Sequence, residues 1–295
     1  MDEDNQTTQM FDELQDRLNH LESEVGELRR KSGGGGQRSM PNRRDEVVSP
    51  DPFRRSEVFP PSTQGEPESI VGGKMTTDFP DCCAVGDDTE FYCTGTLIAP
   101  RLVVTAQHCP DLRRVFLKGN DVSRLDTGEV IRVVDNKEHP SNDLRVLVLE
   151  RDSAVKPRHV AQGAEVGNPK KARLVGFGTV NLGGTIGYGV KRMVDVPITS
   201  LGCESANDQT KFGCSGGKEM VAGHKGLLKD SCRGDSGGPL YIKSSTGAYY
   251  LLGATSRGLG NTNNVCGDGG IYVRVDKFLD WIRQETGIDV EGPLD

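Results

Sequence analysis

The sequence GDSGGP at residues 234–239 places Ser236 between glycines. Glycine can adopt backbone conformations closed to other residues, so the amides around Ser236 can sit on a tight turn and point toward an incoming carbonyl group. Converging amides of this kind are what an oxyanion hole requires. The string alone is also compatible with an ordinary turn. A catalytic interpretation therefore depends on a base and an acid elsewhere in the chain.

A base and an orienting acid both occur earlier in the sequence. His108 lies in TAQHC at residues 105–109, after β-forming residues that would place it at a strand end. Asp143 immediately precedes the apolar run LRVLVL at residues 144–149, where a carboxylate can be half-buried against an imidazole. Taken singly, these residues could be a core histidine and a strand-end cap. Together with Ser236 they predict a nucleophile, its base and an acid.

Four segments together resemble the chymotrypsin/trypsin family of serine endopeptidases. They are IVGG (70–73), TAQHC (105–109), NDLRVLVL (142–149) and DSCRGDSGGP (230–239), in the family's order of His, Asp and Ser. The resemblance spans residues 70–295, the length of about one such domain. It implies an all-β fold of two six-stranded antiparallel β-barrels of the chymotrypsin type with a C-terminal helix.

Composition and local patterns favour the same class of fold. The chain has 38 glycines and only 5% aromatic residues, which indicates many tight turns. Short β-rich runs alternate with Gly, Asn and Asp turns, and an amphipathic helix is predicted at Lys277–Thr286. The runs are Leu97–Thr105, Val130–Val134, Leu144–Leu149, Arg173–Phe177 and Tyr249–Ala254.

The resemblance also assigns roles to the candidate residues. His108 would act as general base and then acid, Asp143 would hold its tautomer, and Ser236 would attack the substrate to give an acyl-enzyme. The amides of Gly234 and Ser236 would stabilise the oxyanion. Protein or peptide substrates are implied, with no cofactor. No metal is expected, because the segment from residue 118 to residue 134 is shorter than the calcium loop of calcium-binding relatives.

Substrate specificity can be read from the residues that match the family's primary pocket. Asp230, six residues before Ser236, matches the pocket floor, where a buried carboxylate needs a cationic partner and so selects Arg or Lys. Gly258 and Gly270 match open pocket walls. The chain departs from the family at Arg257, where Trp is usual. In the family, the residue at that position lies behind the substrate side chain next to the one in the primary pocket. An added cation there is expected to favour substrates in which that neighbouring side chain is acidic or small.

Activation by cleavage is implied at Ile70. In this family, cleavage before the residue that matches Ile70 creates a new α-ammonium group. That group pairs with the carboxylate that matches Asp235, and the pairing orders the oxyanion hole and the substrate pocket. Here Ser69 precedes Ile70, whereas trypsin-like zymogens usually present Arg or Lys. A protease selecting Arg or Lys should not cut after serine. We therefore expect a zymogen that another protease or a partner activates.

All eight cysteines lie after residue 81. The resemblance implies three disulfides, namely Cys93–Cys109, Cys203–Cys214 and Cys232–Cys266. Cys82 and Cys83 are left over, and the sequence leaves open a vicinal bridge, two thiols or a link to another chain. The cysteine cluster favours an oxidising compartment. The N-terminus lacks the apolar segment of a secretory signal, which favours a cytoplasmic or leaderless protein. The compartment therefore stays unknown.

The N-terminal residues 1–31 predict an oligomerisation helix. Apolar side chains recur at alternating spacings of three and four residues, which is a heptad pattern. They are Phe11, Leu14, Leu18, Leu21, Val25 and Leu28. Arg17 faces Glu22 of a parallel partner, and Glu24 faces Arg29, which favours self-pairing. Residues 10–31 could instead form one amphipathic helix that docks on the domain behind it or binds a partner helix.

Residues 32–69 predict a flexible linker or propeptide, because four consecutive glycines, six prolines and few apolar residues cannot bury enough surface to fold.

Charge and hydropathy exclude other classes of function. Residues 1–69 hold 15 acidic and 9 basic side chains, leaving 28 and 27 in residues 70–295. The nearly neutral body lacks the basic stripe of a nucleic-acid binder. No apolar run approaches 18 residues, so no transmembrane helix is expected.

The leading hypothesis is therefore a serine endopeptidase that cleaves after Arg or Lys and is made as a zymogen. A protease fold that has lost catalysis and serves as an interaction protein recruited through its coiled coil is the alternative from another class. A third hypothesis is a protease held inactive on an intracellular assembly through that coil.

Overall fold

The computed structural model describes residues 71–260, 262 and 264–290, which contain thirteen strands and two α-helices. The predicted coil at residues 1–31 and the linker at 32–69 lie outside the described residues. The strands are β1 Lys74–Met75, β2 Cys82–Gly86, β3 Phe91–Ala99, β4 Leu102–Thr105, β5 Arg114–Leu117, β6 Glu129–Glu138, β7 Arg145–Leu149, β8 Lys171–Gly176, β9 Arg192–Ser200, β10 Glu219–Ala222, β11 Pro239–Lys243, β12 Tyr249–Gly258 and β13 Gly270–Arg274. The helices are α1 Ala206–Phe212 and α2 Leu279–Thr286.

The first barrel closes in the order β2-β3-β4-β7-β6-β5, with every pair antiparallel. Strands such as β4 are rich in β-branched and apolar residues, which suit a buried, pleated surface. The sequence of β4 is LVVT, and all four of its residues are buried. The barrel interior is filled by Val85, Leu97, Val103, Val115, Leu117 and Leu147.

The second barrel contains β8, β9, β10, β13, β12 and β11, and pairing of β8 with β9 closes it. Strand β1 adds to the outer edge of β9. The core of this barrel is formed by Leu174, Val194, Met220, Leu240, Leu252 and Tyr272. The predicted fold of two six-stranded antiparallel barrels with a C-terminal helix is therefore confirmed.

A buried carboxylate links the two barrels. Asp81, just before β2, accepts a hydrogen bond from the Tyr241 hydroxyl on β11 at 2.6 Å. The guanidinium of Arg158, in the connection between the barrels, donates to the same carboxylate, with Nε 3.0 Å from Oδ2. Because Asp81 is almost fully buried, these charge-assisted bonds are needed to compensate for its lost hydration.

Local differences from the sequence predictions have physical causes. The predicted run Leu97–Thr105 is two strands, β3 and β4, separated by Pro100 and Arg101. The C-terminal helix begins at Leu279, after a separate 3-10 turn over Val275–Lys277. Helix α1 was not predicted, because it buries none of its residues and so has no apolar periodicity.

The three expected disulfides, Cys93–Cys109, Cys203–Cys214 and Cys232–Cys266, are all present. Cys82 and Cys83 are free thiols with no exposed surface. Burial raises the pKa of both thiols above the ordinary range. Since the thiolate is the reactive form, both side chains should be inert in the folded protein.

A thiol titration tests this assignment. The native protein should not react with a chromogenic disulfide reagent, whereas the chain unfolded in denaturant without reductant should show two reactive thiols. Cys83→Ala should reduce that number to one. An unreactive unfolded chain would instead show a vicinal bridge, and rapid reaction of the native chain would show that the thiols are accessible.

Candidate active site

Strand pairing brings His108 and Asp143 together although 35 residues separate them. Strands β4 and β7 are antiparallel, with Thr105 opposite Arg145, so the end of one lies beside the start of the other. His108 follows β4 and Asp143 precedes β7. The Nδ1 atom of His108 lies 2.8 Å from Asp143 Oδ2, and the backbone N–H of His108 donates to Asp143 Oδ1 at 3.0 Å.

The Ser236 side chain reaches His108 from the second barrel. Its Oγ lies 2.8 Å from His108 Nε2, so the three predicted residues form one continuous hydrogen-bonded chain. The loop that carries Ser236 packs directly against the first barrel. A Cβ built at Gly237 would lie 2.1 Å from the Thr105 hydroxyl, and the φ of Gly237 is +76°. Only glycine fits this close approach without displacing the loop.

Thr94 on β3 is a positioning residue that sequence reasoning missed. Its backbone N–H donates to the carbonyl of Ser236 at 2.9 Å, and its hydroxyl donates to the carbonyl of Gly234 at 2.7 Å. One buried threonine of the first barrel therefore fixes both ends of the nucleophile turn. Among the described residues, no acceptor takes the N–H of Gly234 or Ser236, the two amides predicted to form the oxyanion hole.

Ser256 on β12 is a second missed residue at the triad. Its hydroxyl donates to Asp143 Oδ2 at 2.6 Å. Burial raises the pKa of Asp143, but hydrogen bonds from His108 and Ser256 outweigh that effect and hold the pKa below its ordinary value. Asp143 therefore remains a carboxylate at neutral pH and can orient the His108 ring.

The predicted pocket residues come together around Asp230. Its Oδ1 atom accepts hydrogen bonds from the backbone N–H of Ser231 at 2.8 Å and from the Tyr272 hydroxyl at 3.2 Å. Gly258 and Gly270 face each other across β12 and β13. A Cβ at Gly258 would meet nothing within 4 Å, and one at Gly270 would lie 3.3 Å from the Tyr272 hydroxyl oxygen. Gly258 thus borders open space, whereas Gly270 packs closely against the Tyr272 hydroxyl that bonds to Asp230.

Burial dominates the charge state of Asp230. It raises the pKa of this carboxyl group to about 7, despite the hydrogen bonds from Ser231 and Tyr272. The largest influences on this pKa are burial and the hydrogen bonds from Ser231, Tyr272 and Gly269. A cation entering the space beside Gly258 would stabilise the ionised form.

Asp235 is a second buried carboxylate in the same segment. Its oxygens accept hydrogen bonds from the backbone N–H groups of Gly178 and Cys232, both at 2.8 Å. Burial raises the pKa of Asp235 to about 6, and attraction from Arg192 opposes the shift. Its predicted activation partner, Ile70, lies outside the described residues.

Arg257 does not present a free cation. Its guanidinium binds the Glu219 carboxylate through two hydrogen bonds, Nη1 to Oε1 at 2.7 Å and Nη2 to Oε2 at 2.9 Å. Glu219 on β10 was not singled out from the sequence, because no local pattern indicates a partner 38 residues away. The expected preference for acidic or small neighbours rested on an added cation, and Glu219 compensates the charge of that cation.

No group of three or more metal-ligating side chains is found within residues 71–260, 262 and 264–290. Over the same part of the chain, no helix has both the length and the apolar character needed to cross a membrane.

Comparisons with known proteins agree with the geometry. The sequence model of the family described as Trypsin matches residues 70–282. Serine protease filzig of Drosophila melanogaster is 30% identical over 251 residues, which cover 74% of this chain and 14% of that protein. Transmembrane protease serine 9 of Rattus norvegicus is 28% identical over 244 residues, which cover 74% of this chain and 22% of that protein. The chain thus spans less than a quarter of either relative.

A solved structure shows the same fold. Neuropsin, a serine protease expressed in the limbic system of mouse brain, has a TM-score of 0.60 to this chain at 24% identity. The similarity covers 72% of this chain and 98% of that chain.

The pKa of Asp230 leads to a pH-dependent affinity. Benzamidine, a flat monovalent cation, should bind the chain cut before Ile70 most tightly above pH 7, where Asp230 is ionised. Its affinity should fall by about tenfold per pH unit well below pH 7, because binding must then release a proton. Calorimetry from pH 5 to pH 8.5 measures this dependence. The isosteric variant Asp230→Asn should bind weakly at every pH, and a flat profile for the unmodified chain would contradict the assignment.

Proposed function

The chain belongs to the trypsin family of serine proteases, and from that premise we propose that it hydrolyses peptide bonds after Arg or Lys by way of an acyl-enzyme. The observation that carries this proposal is the continuous contact from Ser236 Oγ through the His108 ring to Asp143, with both ring nitrogens 2.8 Å from their partners. Nucleophile, base and orienting acid are thus already within hydrogen-bonding distance.

The geometry supports a proton route for the first step. Ser236 Oγ attacks the carbonyl carbon of the substrate while His108 Nε2 takes its proton. Asp143 Oδ2 accepts from the Nδ1–H of His108, which holds the ring in the tautomer that leaves Nε2 free to act as base. The developing oxyanion lies toward the amides of Gly234 and Ser236. His108 then gives the proton to the leaving amine.

The second half of the reaction uses the same groups. A water molecule replaces the departed amine, and His108 Nε2 removes its proton as it attacks the acyl carbon. The ester bond to Ser236 breaks, and Ser236 Oγ recovers the proton from His108. Asp143 stays ionised throughout, consistent with its lowered pKa.

Selection of a basic substrate residue would come from Asp230. Its carboxylate is 3% exposed, so ionisation without a counter-charge is unfavourable. The ammonium or guanidinium of a substrate residue would supply that charge and pass beside Gly258 and Gly270. A neutral side chain of similar length would leave Asp230 either protonated or unpaired, which makes the pocket selective.

A zymogen stage is the third part of the proposal. Asp235 is 2% exposed, and burial raises its pKa although backbone hydrogen bonds and attraction from Arg192 oppose that shift, so an added cation would favour its ionised form. An α-ammonium at Ile70, created by cleavage after Ser69, would provide one. Since Ser69 is not basic, the cleavage would come from another protease or the ordered state from a partner.

Removal of either proton-transfer partner tests the mechanism. In the chain cut before Ile70, Ser236→Ala and His108→Ala should each lower kcat on an Arg amide by at least about 10³-fold, because the triad acts as a unit. Ser245→Ala, at an exposed serine on the neighbouring hairpin, is the control and should keep full activity. After cutting before Ile70, a fluorophosphonate probe should label the unmodified chain and not Ser236→Ala. Equal labelling of both would refute the assignment of the nucleophile.

Cleavage before Ile70 tests the zymogen. In a full chain carrying an enteropeptidase site in place of residues 65–69, cutting should raise kcat/KM by about a hundredfold or more, the scale of losing an ordered oxyanion donor. The Asp235→Asn form of the same chain should gain little on cutting. Full activity of the chain while mass spectrometry shows it uncut would contradict the zymogen.

A further inference from the structure

The hydrogen bonds of Arg257 within the protein determine which part of its side chain a ligand could contact. Besides its two bonds to Glu219, Nη2 donates to the carbonyl of Gly213 at 2.9 Å and Nη1 donates to the Ser256 hydroxyl at 3.2 Å. Each terminal nitrogen carries two hydrogens, so all four terminal N–H groups are used within the protein. Only the N–H at Nε is left for any other acceptor.

This side chain is nevertheless well exposed. The exposed fraction is 43% for Arg257 and 8% for Glu219. Because the terminal N–H groups point at protein acceptors, the exposed part is mainly the flat faces of the guanidinium and the alkyl stem. Glu219 compensates the positive charge from the edge of the guanidinium plane. The surface offered to solvent is therefore a fixed, planar face rather than an array of free donors.

The location places this face beside the reacting groups. Arg257 donates to Ser256, and Ser256 donates to Asp143, so two hydrogen bonds connect the guanidinium to the triad. Gly258, at the mouth of the pocket over Asp230, is the next residue in the chain. The side chains of Phe212 and Leu259 lie nearby, around the Cys203–Cys214 disulfide, and both are only partly buried. Phe212 precedes Gly213, which Arg257 contacts, so part of the surroundings of the face is apolar.

We propose that Arg257 is a specificity-determining residue whose guanidinium face, held flat by Glu219, binds an apolar and preferably aromatic substrate side chain on the amino-terminal side of the cleaved residue. A guanidinium plane stacks well on aromatic rings. An acidic side chain gains little there, because the donors it would need are already bonded to Glu219, Gly213 and Ser256. The inference rests on the proposed protease function and adds a second element to its substrate class.

The test is a set of tetrapeptide amides with Arg at the cleaved position and Phe, Leu, Gly or Asp at each preceding position. With the cut full chain, kcat/KM should be about three- to tenfold higher for Phe than for Gly at one of these positions, the scale of an exposed stacking contact. Asp should give no gain over Gly. A preference for Asp over Phe at every position would overturn the proposal.

Three variants distinguish stacking on the guanidinium face of Arg257 from attraction to its positive charge. Arg257→Ala should abolish the preference for Phe, whereas Arg257→Trp should keep it by restoring an aromatic plane. Glu219→Gln leaves the guanidinium uncompensated and should raise the ratio of Asp to Phe cleavage by about tenfold, the effect of one new charge-assisted contact. Glu285→Gln removes an equal charge from the exposed face of α2 and should leave every ratio unchanged.

The controls distinguish the possible failures. Fluorophosphonate labelling of each variant at the unmodified rate shows an intact triad, and Arg257→Ala decides the matter if Glu219→Gln does not fold. An unchanged Phe to Gly ratio in Arg257→Ala would overturn the inference alone. A cut chain that neither labels nor cleaves any Arg amide would overturn the proposed function and, with it, this inference.

Discussion

The close contact between the nucleophile turn and the first barrel is the constraint on which the site depends. At Gly237 the two barrels approach so closely that a single methyl group would overlap the Thr105 hydroxyl. Thr94 completes the contact by bonding to the carbonyls of both Gly234 and Ser236. His108 leaves the first barrel three residues after Thr105. The same contact therefore fixes the distance between Ser236 and His108, although they belong to different barrels.

Two buried carboxylates with raised pKa values lie in and just before the nucleophile turn. Asp230 and Asp235 lie within six residues of each other, and burial raises the pKa of both, to about 7 and about 6. Each is costly to ionise alone and is stabilised by a cation. In the proposed function the cation at Asp230 comes from the substrate and the cation at Asp235 from the new N-terminus. Recognition and activation would then use the same effect, which is the stabilisation of a buried carboxylate by an added cation.

The sequence was sufficient for the fold because the deciding motifs are local. GDSGGP, TAQHC and the run after Asp143 are each contiguous, and the structure brings His108, Asp143 and Ser236 together as predicted. Their catalytic roles stay predictions. The missed residues act across long separations: Ser256 contacts Asp143 from 113 positions away, and Thr94 contacts Gly234 from 140. No local pattern marks such partners, and a departure such as Arg257 cannot be interpreted until its partner Glu219 is known.

The most direct test of this account compares two glycines with similar backbone conformations. Gly237 and Gly247 have φ values of +76° and +93°, but a Cβ at Gly247 would meet only the Lys243 side chain, at 3.8 Å. Both alanine variants carry backbone strain, and only Gly237→Ala displaces the nucleophile turn from the first barrel. In the chain cut before Ile70, the rate of Ser236 labelling by a fluorophosphonate should fall by about 10²-fold or more in Gly237→Ala and by only a few-fold in Gly247→Ala, because small displacements of reacting groups are costly. Labelling of Gly237→Ala at the unmodified rate would contradict the central claim.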